Sequence, residues 1–233
     1  MATFDVAVVG LGAMGSAALL NLAERGARTV GIERHGPGHD LGSSHGETRI
    51  IRMGYFEHPS YVPLLRRTYE LWRELEQRCG RQFMHTTGIV EIGPPAGEVV
   101  AGTLRASRED GLPHEVLSAG VVMRRFPAYR IPQDYVGVFQ PDGGFLDVEP
   151  SIAAMIARAT AAGAQVQLNE TVRAIAPAQG RVRIETDRGS VEATTAVVAA
   201  APWLPKVLPG LKMTLRVTRQ VQAWFKPNDP ALF

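Results

Sequence analysis

A chain of 233 residues with 45% hydrophobic content can bury a real core, which excludes a disordered chain. The net charge is +2, with no basic run long enough to follow a nucleic-acid backbone and no apolar run long enough to span a membrane. The first strand opens at residue 4, leaving no room for a signal peptide, and a single cysteine excludes an internal disulfide framework, so a cytoplasmic chain is expected.

Phe4-Asp5-Val6-Ala7-Val8-Val9 reads as a buried parallel strand. Gly10, Gly12 and Gly15 follow in the spacing G-x-G-x-x-G and lead into an Ala- and Leu-rich helix from Met14 to Arg25, stopped by Gly26. A second strand over residues 28–32 ends in Glu33. Strand, glycines, helix, strand and acid in that order are what a dinucleotide site requires. Gly10 serves the tight turn, Gly12 lets the backbone approach a pyrophosphate, and Gly15 lets helix and strand pack closely. Glu33 is placed to accept hydrogen bonds from an adenosine ribose, and an acid there disfavours a 2′-phosphate, so FAD or NAD is expected over NADP.

Residues 34–43 hold Gly36, Pro37, Gly38 and Gly42 and read as a loop. Ser44 with Glu47 three residues later has the form of a capping box opening a short helix. On such a helix His45, Arg49 and Arg52 share one face, a basic surface that is either solvated or aimed at a bound anion. Tyr61 to Cys79 reads as a long amphipathic helix ending at Gly80, with Cys79 as a small packing residue. Residues 83–92 alternate like a strand, with Gly88 as a close backbone approach. Helices are expected over 97–110 and 118–126, and a hairpin across Gln140-Pro141-Asp142-Gly143-Gly144.

A helix over 151–162 follows Pro150. Strands are expected at 165–168 and 171–175, a hairpin over 181–193, a buried strand at 195–200, and a last strand over 213–225. The order is α/β: a Rossmann-like βαβ dinucleotide domain (1–83 and 151–212) with a second, strand-rich α+β substrate domain (84–150 and 213–233). Nothing in the spacing of the histidines suggests a metal site.

The glycine motif with Met14, Glu33, and the run Ser43-Ser44-His45-Gly46-Glu47-Thr48-Arg49-Ile50-Ile51-Arg52 resemble the monomeric sarcosine oxidase and N-methyltryptophan oxidase family. These are FAD-dependent amino-acid oxidases of the D-amino-acid oxidase group. The likeness continues through Tyr61-Val62-Pro63-Leu64, Glu70-Leu71-Trp72, Thr87-Gly88 and Pro141-Asp142-Gly143-Gly144, nearly the whole chain. It implies oxidation of the C–N bond of a secondary amino acid to an imine, with O2 reduced to H2O2, by a full-length monomer whose partners are a small amino acid and O2.

The resemblance also implies site roles. Ala13, Met14, Arg34, Ser43, Ser44 and Thr48 become cofactor contacts beside the three glycines and Glu33, with helix capping as the plain alternative for Ser44. The Val172 backbone borders the adenine, and the turn at Trp203 closes on the adenosine half. Relatives usually carry a glycine ahead of that tryptophan, whereas this chain has Ala201-Pro202, so contacts there are expected to differ. Arg52 is expected to bind the substrate carboxylate bidentately, Arg49 to lie nearer the flavin, and His45 to shape the flavin-proximal site. His35, His39, His58, His85 and His114 are expected to be ordinary loop or surface residues.

The family's chains are considerably longer. Their further portion completes the substrate domain and supplies a flavin-linking cysteine and two lysines that match nothing here, Cys79 included. A fragment without that portion is therefore expected. Two other classes stay open: a nucleotide-binding fragment without catalysis, and an NAD-dependent dehydrogenase that shares the glycine motif.

Overall fold

The computed structural model describes residues 3–232; residues 1, 2 and 233, which the expected domains include, lie outside the described residues. The chain divides into two compact units, Met1–Thr48 with Asp147–Val221, and Arg49–Leu146 with Gln222–Phe233. Segment 49–83, expected with the dinucleotide domain, groups with the second unit, and 213–221 groups with the first.

The first unit is built on β1 (Thr3–Val9), α1 (Ala13–Glu24) and β2 (Thr29–Glu33), the expected βαβ opening. Later segments of this unit add α5 (Val148–Ala161), β9 (Gln165–Leu168), β10 (Val172–Ala178), β11 (Arg181–Thr186), β12 (Ser190–Val198) and α6 (Leu204–Val207). Six strands form one sheet in the order β10-β11-β12-β1-β2-β9, parallel from β12 through β9 and antiparallel across β10-β11-β12. The expected separate strands at 191–193 and 195–200 are one strand, β12, which pairs with β11 on one side and β1 on the other.

The chain leaves β1 toward β2 on one side, while β12 returns on the other. The carboxyl end of β1 is therefore a switch point, where open α/β sheets form their ligand crevice. Phe4, Ala7, Val9, Val30, Ile32, Ile184, Val191 and Ala193 make a buried core cluster of the sheet. On α1 the buried residues Gly15, Ser16, Leu19, Leu20 and Ala23 recur with helical spacing, and α1 packs against β2 and α5.

The second unit holds β3 (Thr48–Ile51), α2 (Tyr61–Cys79), β4 (Met84–His85), β5 (Ile89–Gly93), α3 (Glu98–Glu109), β6 (Glu115–Ser118), α4 (Ala119–Arg125), β7 (Val136–Gln140) and β8 (Gly144–Asp147). Two three-stranded sheets form, β3-β8-β4 and β5-β7-β6. The expected hairpin across Gln140–Gly144 is thus a crossover, because β7 and β8 join different sheets. Gly144 makes the passage possible: a Cβ there would overlap the His85 carbonyl oxygen. The expected strand 83–92 likewise splits into β4 and β5 at Gly88 (φ +78°), whose Cβ position is filled by the Phe139 ring at 2.5 Å. Two local cores support the unit, one on Ile51, Tyr69 and Met84 and one on Val62, Ala106 and Leu112.

Two further expectations fail. Residues 44–52 are not a helix: Gly46 (φ +102°) and Glu47 (φ +60°) break the backbone, and the β-branched run that follows pairs as β3. His45, Arg49 and Arg52 therefore share no helical face. No strand forms over 213–225. Its alternating apolar residues, Met213, Leu215, Val217, Val221 and Phe225, stand exposed. Alternation specifies a face, but a strand requires a partner to hydrogen-bond.

Candidate functional site

The carboxyl ends of β1, β2 and β12 open into a cavity of about 840 Å³, within the range of small-molecule and cofactor sites. Its floor is the glycine loop. Gly10 sits at φ +89°, and a Cβ there would meet the Ala199 carbonyl oxygen at 2.7 Å. Gly15 lies so close to β1 that its Cβ would fall 1.8 Å from the Gly10 carbonyl oxygen. Both glycines are required by the protein itself.

Gly12 is different. Its φ of −66° suits any residue, and a Cβ would meet only the Ser44 hydroxyl at 3.2 Å and the Ser44 Cβ at 3.7 Å. It stands at the N-cap of α1, lines the cavity, and carries no side chain between the first helical N–H groups and the open space. A helix start facing a cavity in this way favours an anion such as a pyrophosphate. The residues therefore fit a dinucleotide at this helix start, where the only pressure on a Cβ would come from the Ser44 side chain and not from backbone.

Glu33 closes β2 with its carboxylate 8% exposed. Oε2 accepts the Leu11 N–H at 2.7 Å and Oε1 the His35 N–H at 3.1 Å, with His39 Nε2 at 3.4 Å from Oε1. The acid thereby pins the glycine loop to β2 and lines the cavity. Ser44 accepts the Ala13 N–H at 3.1 Å, so it caps α1 from a distant loop and not a helix of its own. That loop is held by Glu149, whose Oε1 accepts the N–H groups of Gly46 (2.9 Å) and Glu47 (3.3 Å). Burial pushes the Glu149 carboxyl up, but those N–H groups and the nearby His45 charge outweigh it and hold it below its ordinary value.

On the opposite wall, Trp203 lies between two cations, Arg34 at 5.9 Å and Lys206 at 5.0 Å from the ring centroid. Ala201, in the turn before it, adopts φ +45°. Gly10, Gly12, Ala13, Met14, Glu33, Arg34, Ser43, Ser44, Val172 and Trp203 all line the cavity, and Gly15 lies beneath them. His45 and Thr48 are not among the lining residues, and Arg49 and Arg52 belong to the second unit. The cavity also includes His35, His39, Glu170, Arg173 and Lys206, which sequence reasoning missed. His35 and His39 follow Glu33 closely enough to have been suspected, but Glu170 and Lys206 carry no local signal. Glu170 is buried and accepts the Thr186 hydroxyl at 2.6 Å.

In the second unit Arg49 lies on β3 and is exposed. The Arg52 side chain is 16% exposed, with its guanidinium over the Tyr55 ring at 4.5 Å and the Phe56 ring at 5.5 Å. Glu91 Oε1 stands 3.2 Å from Arg52 Nε, and Glu57 Oε2 stands 3.8 Å from Nη2. Among the described residues no three His, Cys, Asp or Glu side chains are grouped to hold a metal ion, and no helix is long and apolar enough to cross a membrane.

Comparison with known proteins agrees with this geometry. The chain is 41% identical over 226 residues to monomeric sarcosine oxidase of Streptomyces avermitilis, covering 97% of this chain and 59% of that protein. It is 34% identical over 225 residues to N-methyl-L-tryptophan oxidase of Yersinia pestis, covering 97% and 60%. The chain thus spans about 60% of the length of the curated relatives it matches. Among solved structures it resembles NikD, an unusual amino acid oxidase essential for nikkomycin biosynthesis, with a TM-score of 0.81 at 35% identity over 90% of this chain and 54% of that one. A glycine oxidase from Geobacillus kaustophilus shares the fold, with a TM-score of 0.75 at 22% identity over 90% and 58%. A family model described as FAD dependent oxidoreductase, DAO, matches residues 5–232. With nearly its whole length matched, the chain belongs to the DAO family of FAD-dependent oxidoreductases.

Proposed function

We propose that the first unit binds FAD in the switch-point cavity and that the parent protein oxidises a secondary amino acid, N-methyl or cyclic, at its C–N bond. Gly12 carries this reading: it stands at the N-cap of the first helix on the cavity wall, where a Cβ would press only on the Ser44 hydroxyl at 3.2 Å and not on backbone. The helix start faces the pyrophosphate, Glu33 accepts the ribose hydroxyls, Val172 borders the adenine, and Trp203 with Arg34 closes the adenosine end. The substrate loses a hydride equivalent from carbon and a proton from nitrogen to become an imine, and the same two electrons and two protons convert O2 to H2O2; FAD when bound would carry the electrons between the two halves.

On the same reading Arg52 binds the substrate carboxylate of the parent protein through paired N–H groups, and Arg49 and His45 remain assigned site residues. The names of the two curated relatives, sarcosine oxidase and N-methyl-L-tryptophan oxidase, support an N-methylated amino acid as the substrate class. A second reading, nucleotide binding without catalysis in this chain alone, is favoured by its span of about 60% of those relatives.

The test is an absorbance spectrum of the purified chain, before and after acid precipitation, with Gly12→Ala beside it. A flavin spectrum released to the supernatant, and lost in Gly12→Ala while that variant stays folded, is expected. A colourless wild-type chain that takes up no added FAD overturns the FAD assignment. If FAD binds but sarcosine and N-methyltryptophan yield no peroxide, the reading without catalysis holds.

A further inference from the structure

We propose that Glu91 is a positioning residue that sets the orientation of the Arg52 guanidinium and so prepares it for a ligand carboxylate; this rests on the reading of Arg52 as the carboxylate-binding residue. Glu91 is a lone acid in the apolar strand Ile89-Val90-Glu91-Ile92, with its side chain only 9% exposed. A charge so placed needs partners on every side. Oε2 accepts the Thr103 hydroxyl at 2.7 Å and Gln140 Nε2 at 2.9 Å, while Gln140 Oε1 accepts the Gly54 N–H at 2.7 Å. These bonds tie β5, α3, β7 and the turn after β3 together and leave Oε1 facing Arg52 Nε. Burial pushes the Glu91 carboxyl up, against the pull of Thr103, Arg52 and Gln140.

Arg52 is therefore constrained on three sides. Tyr55 and Phe56 take the faces of the guanidinium, and Glu91 takes its Nε side. The terminal side meets Glu57 at 3.8 Å, beyond hydrogen-bond distance, and Glu57 is 46% exposed. Glu91 Oε1 holds the Nε side by an ion-pair contact at 3.2 Å that forms no hydrogen bond, and Glu57 stands further off the terminal side at 3.8 Å. The terminal side is where a planar carboxylate gains two parallel N–H bonds, provided the guanidinium does not turn.

Glu91→Gln and Glu91→Leu separate orientation from charge, because both remove the charge and only Gln keeps a polar group of the same shape beside Arg52 Nε. Acetate binding, followed by calorimetry and by the Arg52 Nε–H resonance, is expected to be about tenfold weaker in Glu91→Leu than in Glu91→Gln. The Nε–H resonance is expected to keep a chemical shift close to wild type in Glu91→Gln and to move in Glu91→Leu. Equal acetate affinity in the two variants, or an unmoved resonance in Glu91→Leu, overturns the proposal. If Glu91→Leu does not fold, Thr103→Val removes one bond from Glu91 Oε2 and is expected to weaken acetate about threefold relative to wild type; no change there also overturns it. Acetate binding that survives Arg52→Ala refutes the reading of Arg52 itself, a failure distinct from that of Glu91.

Discussion

Gly15→Ala is the sharpest probe of the cofactor loop, because backbone meets backbone there. The added Cβ would sit 1.8 Å from the Gly10 carbonyl oxygen, 2.9 Å from its carbon and 3.3 Å from the Ala199 Cβ. Carbon–oxygen contacts settle near 3.3 Å, so α1 must move from β1 by about 1.5 Å. No rotamer relieves the overlap, since neither partner is a side chain. Overpacking of this severity costs about 3–4 kcal/mol, and the better helix propensity of alanine returns about 1 kcal/mol. The net loss is about 2–3 kcal/mol, which lowers the melting temperature by roughly 4–12 °C for a chain of this size.

Thermal unfolding followed by far-ultraviolet circular dichroism reads the shift. Gly26→Ala provides the calibration: Gly26 has φ +84° with nothing within 4 Å of its Cβ position, so it suffers only the left-handed backbone penalty of about 1–2 kcal/mol. Gly15→Ala melting at or above the wild type, or higher than Gly26→Ala, would show that helix and strand are not in this contact.

Two other substitutions follow from the same cavity. Ala201 holds φ +45° ahead of Pro202, and glycine removes that strain at a smaller entropic cost, so Ala201→Gly is expected to stabilise the chain by about 0.5–1 kcal/mol, read as a higher melting temperature; a lower one refutes the strain. Glu149 has a depressed folded pKa, so its contribution is present above its ordinary value of 4.5 and is lost as pH falls through the folded value. The stability gap between wild type and Glu149→Gln is therefore expected to be constant near neutrality and to shrink below about pH 4.5 in acid-unfolding curves. A gap that widens in acid contradicts the bonds from Gly46 and Glu47.

The sequence by itself determined the βαβ opening, the three glycines, the acid at position 33 and the family, because each depends on local spacing. A turn that admits only glycine, a helix that starts on a glycine and a strand that ends in a carboxylate are written within about 30 consecutive residues. Tertiary structure decided what depends on distant partners. Glu47 in a left-handed conformation and the pairing of β3 turned a plausible capping box into a strand end. Gln140 to Gly144 carried a hairpin signal but passes between two sheets, because pairing is chosen by register and burial and not by the turn alone. Glu149 and Ser44 stabilise α1 and its loop across more than 30 residues of chain, and Glu91 reaches Arg52 across 39, which no periodicity encodes. The alternation of 213–225 names one apolar face, but only a hydrogen-bonding neighbour makes such a segment a strand.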